Sequence, residues 1–354
     1  MTLAEISYWS RQTIKWGFFF LVFIIVGGAV WNTGYKIYRS IVPPAPKAPT
    51  VTFGKLPAIV FPRSKGGNYK FTLQTPTGEL PKFVPSVVVY LMPQFQSSFL
   101  GVDAAGQMAR GLGFNGSLNK VSPTIYRFEH SEVPKTLDIN IVNKTFSISY
   151  NLLAKPEILS MRPPSTDEAQ RTIVGYISSL DLLEEEYPLT QVGYEYLKTD
   201  ELELIPVGSL SEANFVRVNF FRKKYGELGV VTPQRTQSNV WFIVSGAGSG
   251  ASQVVAGEYH HFPVDESKAS TYPIKAAAVA WQELNAGKAV VIRGLPEGKS
   301  DVVIRRVYLA YYDAGEPQQF FQPVIVFEGD GGFAAYVPAV APQYYGVSPT
   351  PGQE

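Results

Sequence analysis

From Trp16 to Trp31 the chain reads WGFFFLVFIIVGGAVW, sixteen residues without a charge. With Ile14 and a snorkelling Lys15 before it and Asn32 to Tyr35 after it, the stretch reaches about 20 residues, enough for one tilted transmembrane helix. It is apolar all round, which does not suit a helix that buries one stripe in a soluble core. Trp16, Trp31, Tyr35 and Tyr38 stand where interfacial aromatics belong, and Phe18, Phe19, Phe20, Leu21, Phe23, Ile24 and Ile25 fill the lipid-facing interior. A single membrane-spanning anchor is the expectation.

The same residues also fit a cleaved signal peptide. Arg11 and Lys15 would form its basic start, Gly17 to Val26 its apolar centre, and Gly27 and Ala29 its small residues. A retained anchor is preferred to cleavage. Orientation is nearly balanced: Arg11 and Lys15 precede the span, and Lys36, Arg39 and Lys47 follow it. The expected arrangement has the N-terminus in the cytoplasm and the chain beyond about residue 40 outside.

Charge narrows the remaining 300 or so residues. The whole chain of 354 residues carries 31 Lys+Arg against 30 Asp+Glu, a net charge of +1, so a basic nucleic-acid binder is not expected. Hydrophobic residues at 45% are enough for a packed core, while 17% charged and 13% aromatic residues suit a β-rich one. With no Cys there is no disulfide framework, thiolate site or cysteine nucleophile.

Four prolines between Pro43 and Pro49 predict an extended spacer. Pro338, Pro342, Pro349 and Pro351 predict a flexible end. The organisation expected is a stub and anchor over 1–40, a linker over 41–50, α+β domains over 51–160 and 161–340, and a tail over 341–354. Helices are predicted over 103–112, capped by Asp103; over 166–183, opened by a Ser165–Glu168 capping box; and over 273–286, with Pro273 in the first turn. Each precedes strand-like runs: 124–129, 136–142 and 145–150; then 192–198, 215–222, 240–244 and 253–260; then 289–293, 302–312, 320–327 and 333–337. Asn143-Lys144 suggests a two-residue hairpin turn and Glu328 to Gly332 a tight one. The fold class expected is therefore α+β, an N-terminal span followed by repeated helix-plus-antiparallel-meander modules.

No catalytic constellation emerges. His130, His260 and His261 lack metal-ligand spacing, and the adjacent pair would point to opposite faces of a strand. Gly246 to Ala251 lacks the Lys-Ser/Thr ending of a phosphate loop and reads as a hairpin connection. Ser245 lacks a nucleophile elbow. Glu184, Glu185 and Glu186 read as a solvated helix end, and Arg222-Lys223-Lys224 and Arg305-Arg306 as exposed turns and edges. No cofactor and no metal is expected. Tyr194 with Tyr196, and Tyr308 with Tyr312, are the candidate binding face, since aromatic rows on a sheet can hold sugars or extended peptides; the plainer reading is packing across strands.

The stretches YPIKAAAVAWQELNAGKAVVI, VVIRRVYLAYY and FFQPVIVFEGDGGFAAYVPAV have a shared grammar. A helix carrying Trp281-Gln282-Glu283-Leu284 runs to a glycine, a strand ends in Tyr311-Tyr312, and Gln322-Pro323-Val324 opens a strand that closes at Phe327-Glu328. Over about residues 210–340, and in the single N-terminal anchor, the chain resembles the YycH/YycI-type regulators and the PepSY-like α+β modules. The resemblance implies a single-pass envelope protein that restrains a sensor kinase through helix and ectodomain contacts. No partner-binding motif matches residue by residue, so the resemblance implies architecture and binding, and no site. The function expected is a non-catalytic, membrane-anchored extracytoplasmic regulator with an envelope or membrane protein partner. A cell-wall or surface-glycan binding module is the alternative. An envelope hydrolase would need Asp265 or Glu266 joined in a pocket to His260 or His261 and a Ser.

Overall fold

The computed structural model describes residues 3–41, 48–63, 67–178, 180, 182–183, 185–200, 203–296 and 298–347. Within these, the side chains of 3–15, Phe19, 37–41 and Val347 are not described. The linker prolines Pro43, Pro44 and Pro46, the tail prolines Pro349 and Pro351, and Glu184 lie outside the described residues.

The first 48 residues form one unit and the rest a second. The first unit is helix α1, Leu3–Ile41. Its Trp16–Lys36 segment, 21 residues with its apolar stretch unburied, is long and apolar enough to cross a membrane. At 1.5 Å per residue it covers about 31 Å, close to the thickness of a hydrocarbon core. Trp16, Phe18, Phe20, Leu21, Phe23, Ile24, Ile25, Trp31 and Tyr35 are all exposed on it. The Thr33 hydroxyl donates to the Ala29 carbonyl at 2.8 Å, which hides a polar group that lipid would not satisfy.

The second unit is α+β, and its frame is a nine-stranded antiparallel sheet. In spatial order the strands are Leu118–Lys120, Ile125–Glu129, Lys135–Asn140, Phe146–Tyr150, Val254–Tyr259, Val240–Ser245, Phe215–Phe220, Val192–Asp200 and Glu203–Val207. Helices α2 (Gly101–Gly111) and α3 (Thr166–Ser178) cover one face. Ala105, Ala109, Ile173 and Ile177 pack there on Val216, Val218, Phe242 and Val244. Helices of 11 and 13 residues are marginal in isolation, so this packing, about 1.5–3 kcal/mol per large side chain, holds them.

A second sheet runs Gly229–Val231, Asp301–Tyr312, Pro323–Gly329, Ala334–Pro338, Val290–Arg293, with Lys70–Leu73 parallel to the start of the long strand. Helix α4 (Ala277–Asn285) packs Ala280 and Leu284 into this sheet's core. A three-stranded sheet joins Asp265–Pro273, Ser86–Leu91 and Phe320–Phe321.

Several expectations change. The boundary expected at residue 160 falls inside the nine-stranded sheet, because Phe146–Ile148 pair with Gly257–Tyr259. The first two helix-plus-meander units share that sheet and do not form separate modules. Helix α2 has Leu100 at its N-cap with no side-chain cap; Asp103 lies in its first turn. Pro273 ends a strand paired with Ser86, and α4 starts four residues later. Part of the chain expected to be a flexible tail is ordered: Tyr345–Val347 pairs with Leu56–Pro57, and Ile59 N donates to the Tyr345 hydroxyl at 3.0 Å. Asn143-Lys144 belongs to a longer loop, closed by Lys144 N on the Asn140 carbonyl at 2.9 Å, with Lys144 at φ 61°. The Ser165–Glu168 capping box is present, with Ser165 N donating to Glu168 at 3.0 Å.

Gly246 opens the glycine-rich connection between strands Val240–Ser245 and Val254–Tyr259, and a Cβ there would lie 2.0 Å from the Arg162 carbonyl oxygen. Gly175, in α3, has no atom within 4 Å of such a Cβ. Gly246→Ala is therefore expected to cost about 1–3 kcal/mol, and Gly175→Ala to add about 0.5–1 kcal/mol. Chemical denaturation of the two variants checks both signs.

Candidate functional site

The face of the nine-stranded sheet opposite α2 and α3 carries the polar half of the alternating strands. Register places Arg127, Asp138, Ser147, Glu258 and Trp241 side by side across five neighbouring strands. Arg127 grips Asp138 through two nitrogens, at 2.7 and 2.6 Å. Arg217, one strand further on, stacks its guanidinium 5.0 Å from the Trp241 ring and bonds Glu195 at 2.5 Å.

Where this face meets the second sheet there is a cleft of about 470 Å³. Trp241, Glu258, His260 and Glu316 line it, with the amides of Asn143, Gln234, Gln237 and Asn239. His260 is fixed at both ring nitrogens: Nε2 faces Glu258 at 3.0 Å and Nδ1 faces the Gly315 carbonyl at 3.1 Å. Both partners are acceptors, an arrangement that the protonated ring satisfies at both nitrogens. The Glu258 hydrogen bond raises the imidazole's pKa above its ordinary 6.5, outweighing burial, and the Gly315 carbonyl and Glu316 add to the rise. An imidazole whose two nitrogens both face acceptors orients its neighbours and is poorly placed to act as a general base.

Behind the cleft is a buried ionic cluster. Arg222 follows strand Phe215–Phe220, and only 4% of it is exposed. Its Nη1 donates to Glu186, its Nε to Asp313 at 2.6 Å and its Nη2 to the Phe262 carbonyl at 2.7 Å. Tyr187 and Phe321 take the guanidinium on their rings, at 5.5 and 5.8 Å. Glu186 also accepts from His261 Nε2 and from Val264 N, each at 3.1 Å. Burial would push the Glu186 carboxyl up, but the His261 hydrogen bond and the Arg222 charge hold it below the usual range. Burial likewise opposes the Arg222 charge, and Asp313, Tyr187 and Glu186 override it.

This corrects three sequence expectations. Glu186 is not at a solvated helix end, Arg222 is not in an exposed turn, and His260 and His261 follow the strand Val254–Tyr259 instead of lying on it, His261 being a buried member of the cluster. Nothing local marks them, because their partners lie 36 to 91 residues away.

The tyrosine rows are placed differently from one another. Tyr194 is partly exposed, yet its hydroxyl bonds Gln170 of α3 at 2.5 Å, and Tyr196 packs on the core beneath that helix. Tyr308 is half-buried and donates to Glu328 at 2.7 Å, and Tyr312 is 1% exposed. Tyr312 therefore offers no ring to a ligand. Asp265 and Glu266 pair with Lys268 and Lys223. The Ser245 hydroxyl donates to the Gln253 carbonyl at 3.3 Å. Ser238 lines the cleft, but its buried hydroxyl donates to the Phe220 carbonyl. Among the described residues no group of three or more His, Asp or Glu is placed to hold a metal ion. Sequence reasoning missed the Trp241 cleft, because Trp241 and Glu258 meet only through the pairing of two strands.

No family model matches the chain, and no curated protein matches it. A solved structure of an uncharacterized protein from Eubacterium rectale is similar at a TM-score of 0.39 and 13% identity, over 72% of this chain and 82% of that one. A likeness of that degree carries no functional inference.

Removing one member of a buried ion cluster strands the others. Arg222→Met is expected to lower stability by about 3–5 kcal/mol, with partial recovery when Glu186 and Asp313 are also made apolar, as read by denaturant melts. His260 should titrate above 6.5 and fall toward it in Glu258→Gln, followed by NMR of the imidazole. Since the folded pKa is the raised one, the stabilisation from this ion pair is fully present below 6.5. It is lost as pH rises through the folded value.

Proposed function

We propose that this is a single-pass, membrane-anchored binding protein whose second unit lies outside the cytoplasm and works by contact, without catalysis. Helix α1 anchors it through Trp16–Lys36, and the Trp241 cleft takes part of an envelope or membrane protein partner. The observation that carries the reading is the make-up of the cleft: its imidazole is engaged at both nitrogens by Glu258 and the Gly315 carbonyl, and an indole ring and four amide side chains line the same opening. The resemblance of residues 210–340 to YycH/YycI-type regulators supports the same reading, with restraint of a membrane-bound kinase as its regulatory form.

A second reading is favoured by one feature. Trp241 ringed by Asn143, Gln234, Gln237 and Asn239 is chemistry that also suits a sugar, with stacking on the indole and amide hydrogen bonds to hydroxyls. Under this reading the cleft holds a surface glycan, and the Tyr308/Tyr312 row plays no part in it.

The test is crosslinking in intact cells, with the full chain compared with one lacking residues 1–40. Recovery of one membrane protein, lost on truncation and reduced in Trp241→Ala, is the expected result. Retention of the truncated chain on cell-wall material, with no protein recovered, would overturn the partner reading in favour of the glycan.

A further inference from the structure

A second cleft, of about 450 Å³, lies on the other side of the loop that walls the Trp241 cleft; Pro233 and Gln234 line both. Three arginines, Arg63, Arg235 and Arg293, line it together, and no carboxylate is among its lining side chains. In a chain whose net charge is only +1, three arginines around one opening make a strong local field. From this convergence we infer that the cleft binds the phosphate group of a phosphate-bearing ligand.

Each arginine is held by a separate support. Arg63 lies two residues after Phe61, whose ring lies 4.8 Å from that of Tyr312, and four after Ile59, whose N donates to the Tyr345 hydroxyl. Arg235 commits its Nε to Glu328 at 2.7 Å, and Glu328 also takes Arg306. Among the described residues the terminal nitrogens of Arg235 have no other partner, which leaves the fork of the guanidinium for the cleft. Arg293 lies over the Glu328–Gly332 turn, where a Cβ on Gly332 would come 3.3 Å from its Cζ. Among the described residues neither Arg63 nor Arg293 has an ion-pair partner.

The loop between the clefts is braced as well. The Thr232 hydroxyl donates to the Gln234 and Gln237 carbonyls at 2.8 and 2.7 Å, and Tyr336 donates to the Thr232 carbonyl at 3.1 Å. The wall of the site is therefore fixed before a ligand arrives. Three planar donors without a carboxylate match a group with several anionic oxygens, and guanidinium forks fit phosphate geometry. One carboxylate would leave most of these donors unmatched. A free monoester and a diester headgroup both present such oxygens.

The test uses the full chain in neutral-lipid nanodiscs, titrated calorimetrically at constant ionic strength. The probes are inorganic phosphate, glycerol 3-phosphate and the diester glycerophosphoglycerol. Saturable binding is expected, weakened about tenfold or more in Arg63→Gln and in Arg293→Gln, and unchanged in Arg110→Gln, an exposed arginine of α2 outside both clefts. Stronger binding of the monoester assigns a free phosphate ester, and stronger binding of the diester assigns a headgroup. Arg235→Gln also releases Glu328, so the two exposed arginines decide the outcome, with thermal melts confirming that these variants fold. A response no greater than that to chloride at matched ionic strength, or affinities unchanged in both variants, would overturn the inference.

Discussion

An arginine as buried as Arg222 keeps its charge only where acceptors replace the water it has lost, and the chain supplies them from three separate regions. Glu186 comes from the connection after α3, Phe262 from beyond strand Val254–Tyr259, and Asp313 from the end of the longest strand of the second sheet. Each contact closes only when those regions are in register. A cluster of this kind adds little net stability over an apolar replacement, but a misplaced partner leaves an unpaired charge at a cost of several kcal/mol. It acts as a fixed joint between the nine-stranded sheet and the second sheet, with Phe321 of the third sheet beneath it.

Both clefts depend on that joint. The chain leaving Asp313 reaches Gly315, whose carbonyl takes the His260 proton, and Asn239 donates to the Asp313 carbonyl at 2.9 Å. The loop ending at Asn239 then separates the Trp241 cleft from the arginine cleft. Recognition chemistry is thus concentrated at the seam between sheets, where two rigid elements can present fixed side chains to one opening.

Local patterns in the sequence are readable where local physics decides. The stripe Ala169, Ile173, Ile177 marks α3, the alternation of Leu137, Ile139 and Ile141 with Asp138 and Asn140 marks a strand, and Glu328 to Gly332 marks the turn closed by Gly329 N on the Phe333 carbonyl at 3.0 Å. The apolar run at Trp16 gives the long helix. What escapes is long-range. Ser86–Leu91 and Asp265–Pro273 are strands that pair across some 180 residues, and Tyr272 before Pro273 is extended rather than helical. Glu186 is indistinguishable in sequence from an exposed glutamate, because its burial is set by Arg222 and His261. The arginine cleft draws on residues 63, 235 and 293, which no spacing rule connects.

If the Arg222 cluster joins the sheets, they should open together. Native-state hydrogen exchange can compare amides of Val216–Phe220 and Val240–Val244 with those of Leu309–Tyr312 and Val324–Phe327. Opening free energies that agree within about 1 kcal/mol are the predicted result, since elements in one cooperative unit exchange through the same opening. Exchange of the second sheet at a free energy several kcal/mol below that of the first would contradict the joint, because the cluster would then be breaking without the fold.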